Sequence, residues 1–186
     1  MHPTLRNPGA VALMVVDVQE RLLQAMAEPD ETIAATACAV RIARRLELPL
    51  VVTEQYPKGL GHTVPAVADQ FAPETPVFEK TAFSCFGCAA VAAELDRTRP
   101  DTLALCGVET HVCVQQTALD ALERGFHVVV LADAVLSRRE TDRGVALELL
   151  RARGVTVTTV ESLAFAIMRD AKHAAFKAVS RIVQDR

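Results

Sequence analysis

A chain of 186 residues is long enough to bury one sizeable core without staples, and 51% hydrophobic against 23% charged residues is the balance of a globular protein rather than a disordered one. The formal net charge is only −3, with no run of lysine and arginine interleaved with aromatics, so no nucleic-acid partner is expected and small molecules are. No apolar stretch approaches the roughly 20 residues that span a bilayer, and MHPTLRNPGA lacks the apolar centre of a secretory leader, which points to a cytoplasmic chain with no membrane partner.

The first apolar run, VALMVV (11–16), ends on Asp17. ETIAATACAVRIARRLE (31–47) then has helical spacing, and LPLVVT (48–53) reads as a second strand. EQYPKGLGHTVPAV (54–67), with Pro57, Gly59, Gly61 and Pro65, reads as a loop near function. TPVFEK (75–80) is a third strand closing on Lys80, CAAVAAELDR (88–97) a helix, and TLALCG (102–107) a fourth strand. HVCVQQTALDALERG (111–125) follows as a helix with Thr110 as N-cap and Gly125 at its end. HVVVLAD (127–133) is the fifth strand. RRETDRGVALELLRARG (138–154) is a helix whose start carries the capping-box pattern of Ser137 and Glu140, and it closes at Gly154. VTVTTV (155–160) reads as the sixth strand, and DAKHAAFKAVSRIVQDR as a terminal amphipathic helix.

The strand runs are continuously apolar rather than alternating, as parallel strands buried on both faces require, and each helical segment fits a crossover. The expectation is one doubly wound α/β domain over residues 1–186. In such sheets ligands bind beyond the carboxyl ends of the strands. Three polar or reactive residues fall there: Asp17 after the first run, Lys80 after the third and Cys113 just after the fourth.

With Thr110 as N-cap, Cys113 occupies the third helical position, where unpaired N–H groups and the helix dipole favour an anion. A thiolate is the nucleophilic form of cysteine, and a cation such as Lys80 would lower its pKa further. Asp17 could take the thiol proton and return it to a leaving group. The N–H groups around Glu109 to Cys113 would face the oxyanion formed when sulfur attacks a carbonyl, so acyl transfer is the natural chemistry. Each residue also has a plain structural role open to it: a strand-end turn for Asp17, a solvated charge for Lys80, a small apolar filler for Cys113.

VVDVQ (15–19), FEKTAFS (78–84) and GVETHVCV (107–114), taken together, resemble the motifs of the isochorismatase-like cysteine hydrolases. TEQYPKGLGHTVP (53–65) is similar to the isochorismatase-domain-containing protein 2 subgroup. The resemblance covers nearly the whole chain. It implies a three-layer α/β/α fold with a six-stranded parallel sheet, assembly into a homo-oligomer, and a cis peptide between Val108 and Glu109. It also implies Cys113 as nucleophile, Asp17 as general base and acid, and Lys80 as the group lowering the thiol pKa. The backbone amides of Glu109 and Cys113 would form the oxyanion hole, and Gln19, Tyr56, Phe83 and His111 would contribute to the substrate pocket.

Related nicotinamidases hold a metal through an Asp-x-His cluster after the second strand. Here Thr53, Glu54, Gln55 and Tyr56 stand in that place with only His62 nearby, so no metal is expected. No nucleotide-binding glycine loop follows the first strand, so no cofactor is expected either. The five cysteines, Cys38, Cys85, Cys88, Cys106 and Cys113, lack a regular framework and read as reduced thiols. Cys85 and Cys88 form a C-x-x-C pair, but zinc needs four ligands and no second pair exists, so a structural role is favoured over a zinc or redox one.

The resulting expectation is a metal-independent cysteine hydrolase that cleaves a small amide or related C–N bond through a thioester. A nucleophilic cysteine fits vinyl-ether hydrolysis poorly, because that chemistry needs an acid. The alternative is a catalytically idle or moonlighting interaction protein on the same scaffold.

Overall fold

Every residue of β1 (Val11–Val16) is buried, and its side chains divide by parity. Val11, Leu13 and Val15 enter one hydrophobic core, while Ala12, Met14 and Val16 enter another. A strand that buries both faces needs a continuous apolar run, which VALMVV supplies. The same division recurs in the fourth strand, where Ala104, Cys106 and Val108 face the first core and Leu103 and Leu105 the second.

The computed structural model describes Leu5, Asn7 and residues 9–186, so most of the segment read for a leader lies outside the described residues. After β1 come α1 (Glu20–Gln24), α2 (Asp30–Arg45), β2 (Leu50–Gln55), α3 (Pro57–Leu60), α4 (Pro65–Ala68) and β3 (Val77–Lys80). A short 3-10 turn over Cys85–Gly87 leads to α5 (Ala89–Thr98) and β4 (Thr102–Val108). A single π turn over Thr110–Val114 opens α6 (Gln115–Glu123), and β5 (His127–Leu136), α7 (Glu140–Ala152), β6 (Thr156–Thr158), α8 (Val160–Met168) and α9 (Phe176–Gln184) complete the chain.

The strands form one six-stranded sheet, ordered β3-β2-β1-β4-β5-β6, with every pairing parallel. Residues of α2, α8 and α9 fill the first core, and residues of α5, α6 and α7 the second, so helices cover both faces. This is the expected three-layer α/β/α architecture. The strand order reverses between β1 and β4, which makes their carboxyl ends the place where a crevice must open. At the β3 edge the sheet is left uncovered, and Val77 is 45% exposed.

Three local expectations change. VTVTTV is a strand only over Thr156–Thr158, because the Thr159 hydroxyl accepts a hydrogen bond from the Ser162 N–H (3.2 Å) and caps α8, where no helix was expected. Ser137 does not cap α7. Its hydroxyl instead meets His111 Nδ1 at 3.0 Å, and the helix starts at Glu140 after an extended Arg139. The loop over 54–67 contains the short helices α3 and α4, each with proline in its first turn. Among the described residues no helix is long and apolar enough to cross a membrane.

Candidate active site

Two backbones approach each other closely at the strand-order reversal. A Cβ added to Gly107 in β4 would sit 2.0 Å from the Val16 carbonyl oxygen, and Gly107 has φ +116, so only glycine lets β4 pass β1 this closely. Val16 and Gly107 are register partners, and the chain then leaves β1 through Asp17, which has φ 53. On the β4 side the Val108–Glu109 peptide is cis, as the resemblance implied.

The turn that follows differs from the expected α-helical start. Glu109, not Thr110, is the N-cap residue, and the N–H groups of Val112 (3.1 Å) and Val114 (3.2 Å) both donate to its carbonyl. The second of these bonds spans five residues, which widens the turn and moves Cys113 one position deeper than an ordinary N-terminal turn would. Thr110 is fully buried, and its hydroxyl has no hydrogen-bond partner.

Asp17, Lys80 and Cys113, from three separate elements, converge here. The Lys80 ammonium donates to Asp17 Oδ2 at 2.6 Å, with both side chains essentially inaccessible to solvent. It also reaches Gln55 Oε1 (2.7 Å) and the carbonyls of Ala82 and Phe83 (3.2 Å each). An ammonium has three protons and no acceptor, so four oxygen partners exhaust it. Asp17 Oδ1 accepts from the Thr53 hydroxyl at 2.7 Å, and the Cys113 thiol lies within the influence of this carboxylate's charge.

Burial works against the Lys80 charge, but the Asp17 carboxylate and the thiols of Cys85 and Cys113 outweigh it and hold the lysine pKa above its ordinary value. The Cys113 thiol is pushed up to about 12, first by burial and then by the Asp17 charge, with Lys80 opposing. This overturns the expectation of a resting thiolate: a buried sulfur beside a carboxylate keeps its proton. What the arrangement offers instead is a neutral thiol beside the Asp17 carboxylate.

A family model described as the isochorismatase domain matches residues 11–162. The chain belongs to the isochorismatase family. Isochorismatase domain-containing protein 2 of Bos taurus is 41% identical over 179 residues, covering 96% of this chain and 85% of the relative. The solved structure of MAR1 ribonuclease from Caenorhabditis elegans has a TM-score of 0.91 and 39% identity, covering 96% of this chain and 91% of that one. YcaC from Pseudomonas aeruginosa, solved with hexane-2,5-diol and covalent acrylamide, has a TM-score of 0.86 at 26% identity and covers 100% of this chain and 98% of its own. The fold is therefore that of isochorismatase-family hydrolases.

The remaining residues singled out in this isochorismatase-family chain lie around that centre. Gln19 is fully buried, with its amide donating to the carbonyls of Gln55 (3.0 Å) and Gly61 (2.7 Å) and accepting from the Gln55 N–H (2.7 Å), so it clamps the 56–63 segment to the end of β2. His111 is tied to Ser137, and the Glu109 carboxylate accepts from both the N–H and the Nε of Arg138 (3.0 Å each). Tyr56 and Phe83 are exposed. Tyr56 lines a cleft of about 450 Å³ with Lys58, Glu79, Thr81 and Cys88, and the cleft meets the buried network only at Lys80.

Three members of the network were not picked out from the sequence: Thr53, Gln55 and Cys85. Thr53 pairs with Val16, and Gln55 with Lys80, in the strand register. Both stand at the carboxyl end of β2, the same signal that marks Asp17 and Lys80 on their own strands. Cys85 Sγ lies 3.6 Å from the Thr53 hydroxyl, whereas Cys88 Sγ faces the Glu79 carbonyl at 3.7 Å, so the C-x-x-C pair turns its sulfurs to different neighbours. All five cysteines are free thiols, and no group of three or more possible metal ligands occurs among the described residues.

Proposed function

We propose that this protein is a cysteine hydrolase that cleaves a small amide or related C–N bond through a covalent thioester, with Cys113, Asp17 and Lys80 as its catalytic triad. The observation that carries the reading is the Asp17 carboxylate, which accepts from the Lys80 ammonium at 2.6 Å and whose charge acts on the Cys113 thiol. Cys113 sulfur attacks the substrate carbonyl carbon as its proton passes to Asp17. The backbone amides of Glu109 and Cys113 receive the oxyanion. Asp17 then gives the proton to the departing nitrogen, the C–N bond breaks, and a thioester remains. Water attacks that thioester with Asp17 as base, releasing the acid and restoring the thiol. Lys80 is the ion-pair partner of Asp17 before the thiol proton arrives and again after it has passed to the departing nitrogen, and the covalent acrylamide on Pseudomonas YcaC supports a reactive nucleophile in this fold.

Tyr56, Phe83 and His111 border the substrate in this scheme, and Gln19 acts by holding the loop that carries Tyr56. A homo-oligomer would have exposed apolar side chains such as Val77, Tyr56 and Phe83 to cover. The test is a screen of small amides with purified protein. Cys113→Ala should abolish turnover of every substrate found and the accompanying acyl mass on the enzyme; full activity in that variant would sink the assignment.

A second reading rests on the Caenorhabditis neighbour, named a ribonuclease and 39% identical to this chain. Phosphodiester cleavage would require a cation for the phosphoryl oxygens, and the Lys80 ammonium already has four oxygen partners. Incubation with structured and single-stranded RNA separates the two readings. Cleavage that survives repurification and is lost in Asp17→Asn would favour the ribonuclease.

A further inference from the structure

Cys85 is a fully buried thiol that the mechanism above does not use. Its backbone N–H donates to Thr117 Oγ1 on α6 at 3.0 Å, which fixes its place between α6 and the end of β2. Its sulfur meets the Thr53 hydroxyl at 3.6 Å, and that hydroxyl meets Asp17 Oδ1 at 2.7 Å. The direction of these bonds follows from proton counting. Threonine has one hydroxyl proton, and an ionised carboxylate can only accept, so the proton lies between Thr53 and Asp17. The Thr53–Cys85 contact must then be donated by the thiol.

Thr53 also holds Asp17 through the backbone, since its carbonyl accepts the Asp17 N–H at 3.1 Å. The other carboxylate oxygen is held by Lys80. The titratable groups facing Asp17 are thus Lys80 from β3, Cys113 from the π turn and Cys85 from the turn before α5.

We propose that Thr53 is the positioning residue for the Asp17 base, and that Cys85 sets the direction of its hydroxyl, so that the series Cys85 S–H, Thr53 O–H, Asp17 Oδ1 keeps the carboxylate turned toward Cys113. The proposal rests on the reading of Asp17 as the base for Cys113. With one oxygen gripped from β2 and the other from β3, the carboxylate cannot rotate away when the thiol proton moves. Burial also pushes the Cys85 thiol up to about 11, so it remains a donor across the neutral range.

The experiment is alkylation of the native protein by chloroacetamide from pH 5 to 9, with the rate at Cys113 read by peptide mass spectrometry. A hydrogen bond to a charged group is worth enough that Thr53→Val should slow Cys113 about tenfold at pH 7. The pH at which Cys113 begins to react should also move up, because the ionised carboxylate loses a donor. Thr53→Ser should restore the rate to within about threefold and return the profile to its original position, as a merely space-filling role would not. Cys85→Ala should slow the reaction about two- to threefold, and Cys85→Ser should recover it. Thr53→Ala provides the same comparison should the valine variant fail to melt cooperatively.

If Asp17→Asn collapses the rate while both Thr53→Val and Thr53→Ala keep the wild-type rate and profile, the positioning proposal is overturned and the base assignment stands. If Asp17→Asn leaves Cys113 unchanged, the base assignment itself is lost. Wild-type behaviour of Cys85→Ala removes Cys85 from the series.

Discussion

At the carboxyl ends of β1 and β2, Asp17 and Thr53 are 0% exposed, while at the rim beside them Tyr56 and Phe83 present 55% and 60% of their surface. The centre consists of groups whose partners are fixed by the strands that carry them. The rim consists of side chains on turns, with the Tyr56 backbone in the left-handed region and its ring lying over Gly59, where a Cβ would come within 2.3 Å of the ring. Lys80 joins the two, with its ammonium in the buried network and its neighbours Glu79 and Thr81 lining the cleft. Under the proposed function, reactivity belongs to the centre, where strand geometry holds the groups in place, and substrate choice to the rim, where residues can change without disturbing the sheet.

The contrast breaks first at Lys80. Replacing it with methionine keeps much of the volume but leaves the Asp17 charge buried without its ion-pair partner, a defect that costs about 3–5 kcal/mol. Urea denaturation should show a loss of that size, and the double variant Lys80→Met with Asp17→Asn should recover part of it. A Lys80→Met protein as stable as wild type would mean that the pair is not held as described.

Alkaline pH probes the same region more gently. The folded-state values of Cys85 and Cys113, about 11 and about 12, lie above the ordinary thiol value of 9.0, and Lys80 is also raised. The folded state therefore binds more protons than the unfolded chain once the unfolded thiols ionise. The stabilisation is complete below about pH 9 and is lost as pH rises through the folded values. The melting temperature should begin to fall near pH 9; a melting temperature that rises between pH 9 and 11 would contradict the assignment of protonated thiols.

The rim should give the smallest stability change and the clearest change in substrate preference. Tyr56→Ala and Phe83→Ala should each alter stability by no more than about 0.5 kcal/mol, as exposed positions do, while changing KM or substrate ranking in the amide screen. Large destabilisation of the monomer by either variant would remove the distinction between centre and rim.

The sequence made the scaffold legible because a sheet buried on both faces needs continuous apolar runs, and VALMVV and TLALCG could be little else. It was less informative where one composition serves two structures: VTVTTV is β-branched throughout, yet its last threonine caps a helix. Asp17, Lys80 and Cys113 were legible as candidates because each ends or follows such a run. Thr53, Gln55 and Cys85 were harder to see, since their importance comes from partners across the strand register and from a turn between elements. The direction of the Cys113 shift was hidden for a similar reason. Position near a helix start is visible in a sequence, but depth of burial beside a carboxylate is not.

The most direct measurement is the order in which native thiols react with limiting acrylamide at neutral pH, mapped across all five cysteine-containing sites. Cys88 is the more accessible sulfur, half-buried on the cleft, whereas Cys113 is 6% exposed but lies beside the Asp17 carboxylate. A nucleophile assisted by Asp17 predicts that Cys113 is modified first and that Asp17→Asn reverses the order. Modification of Cys88 first in the wild-type protein, with Cys113 untouched, would contradict the account.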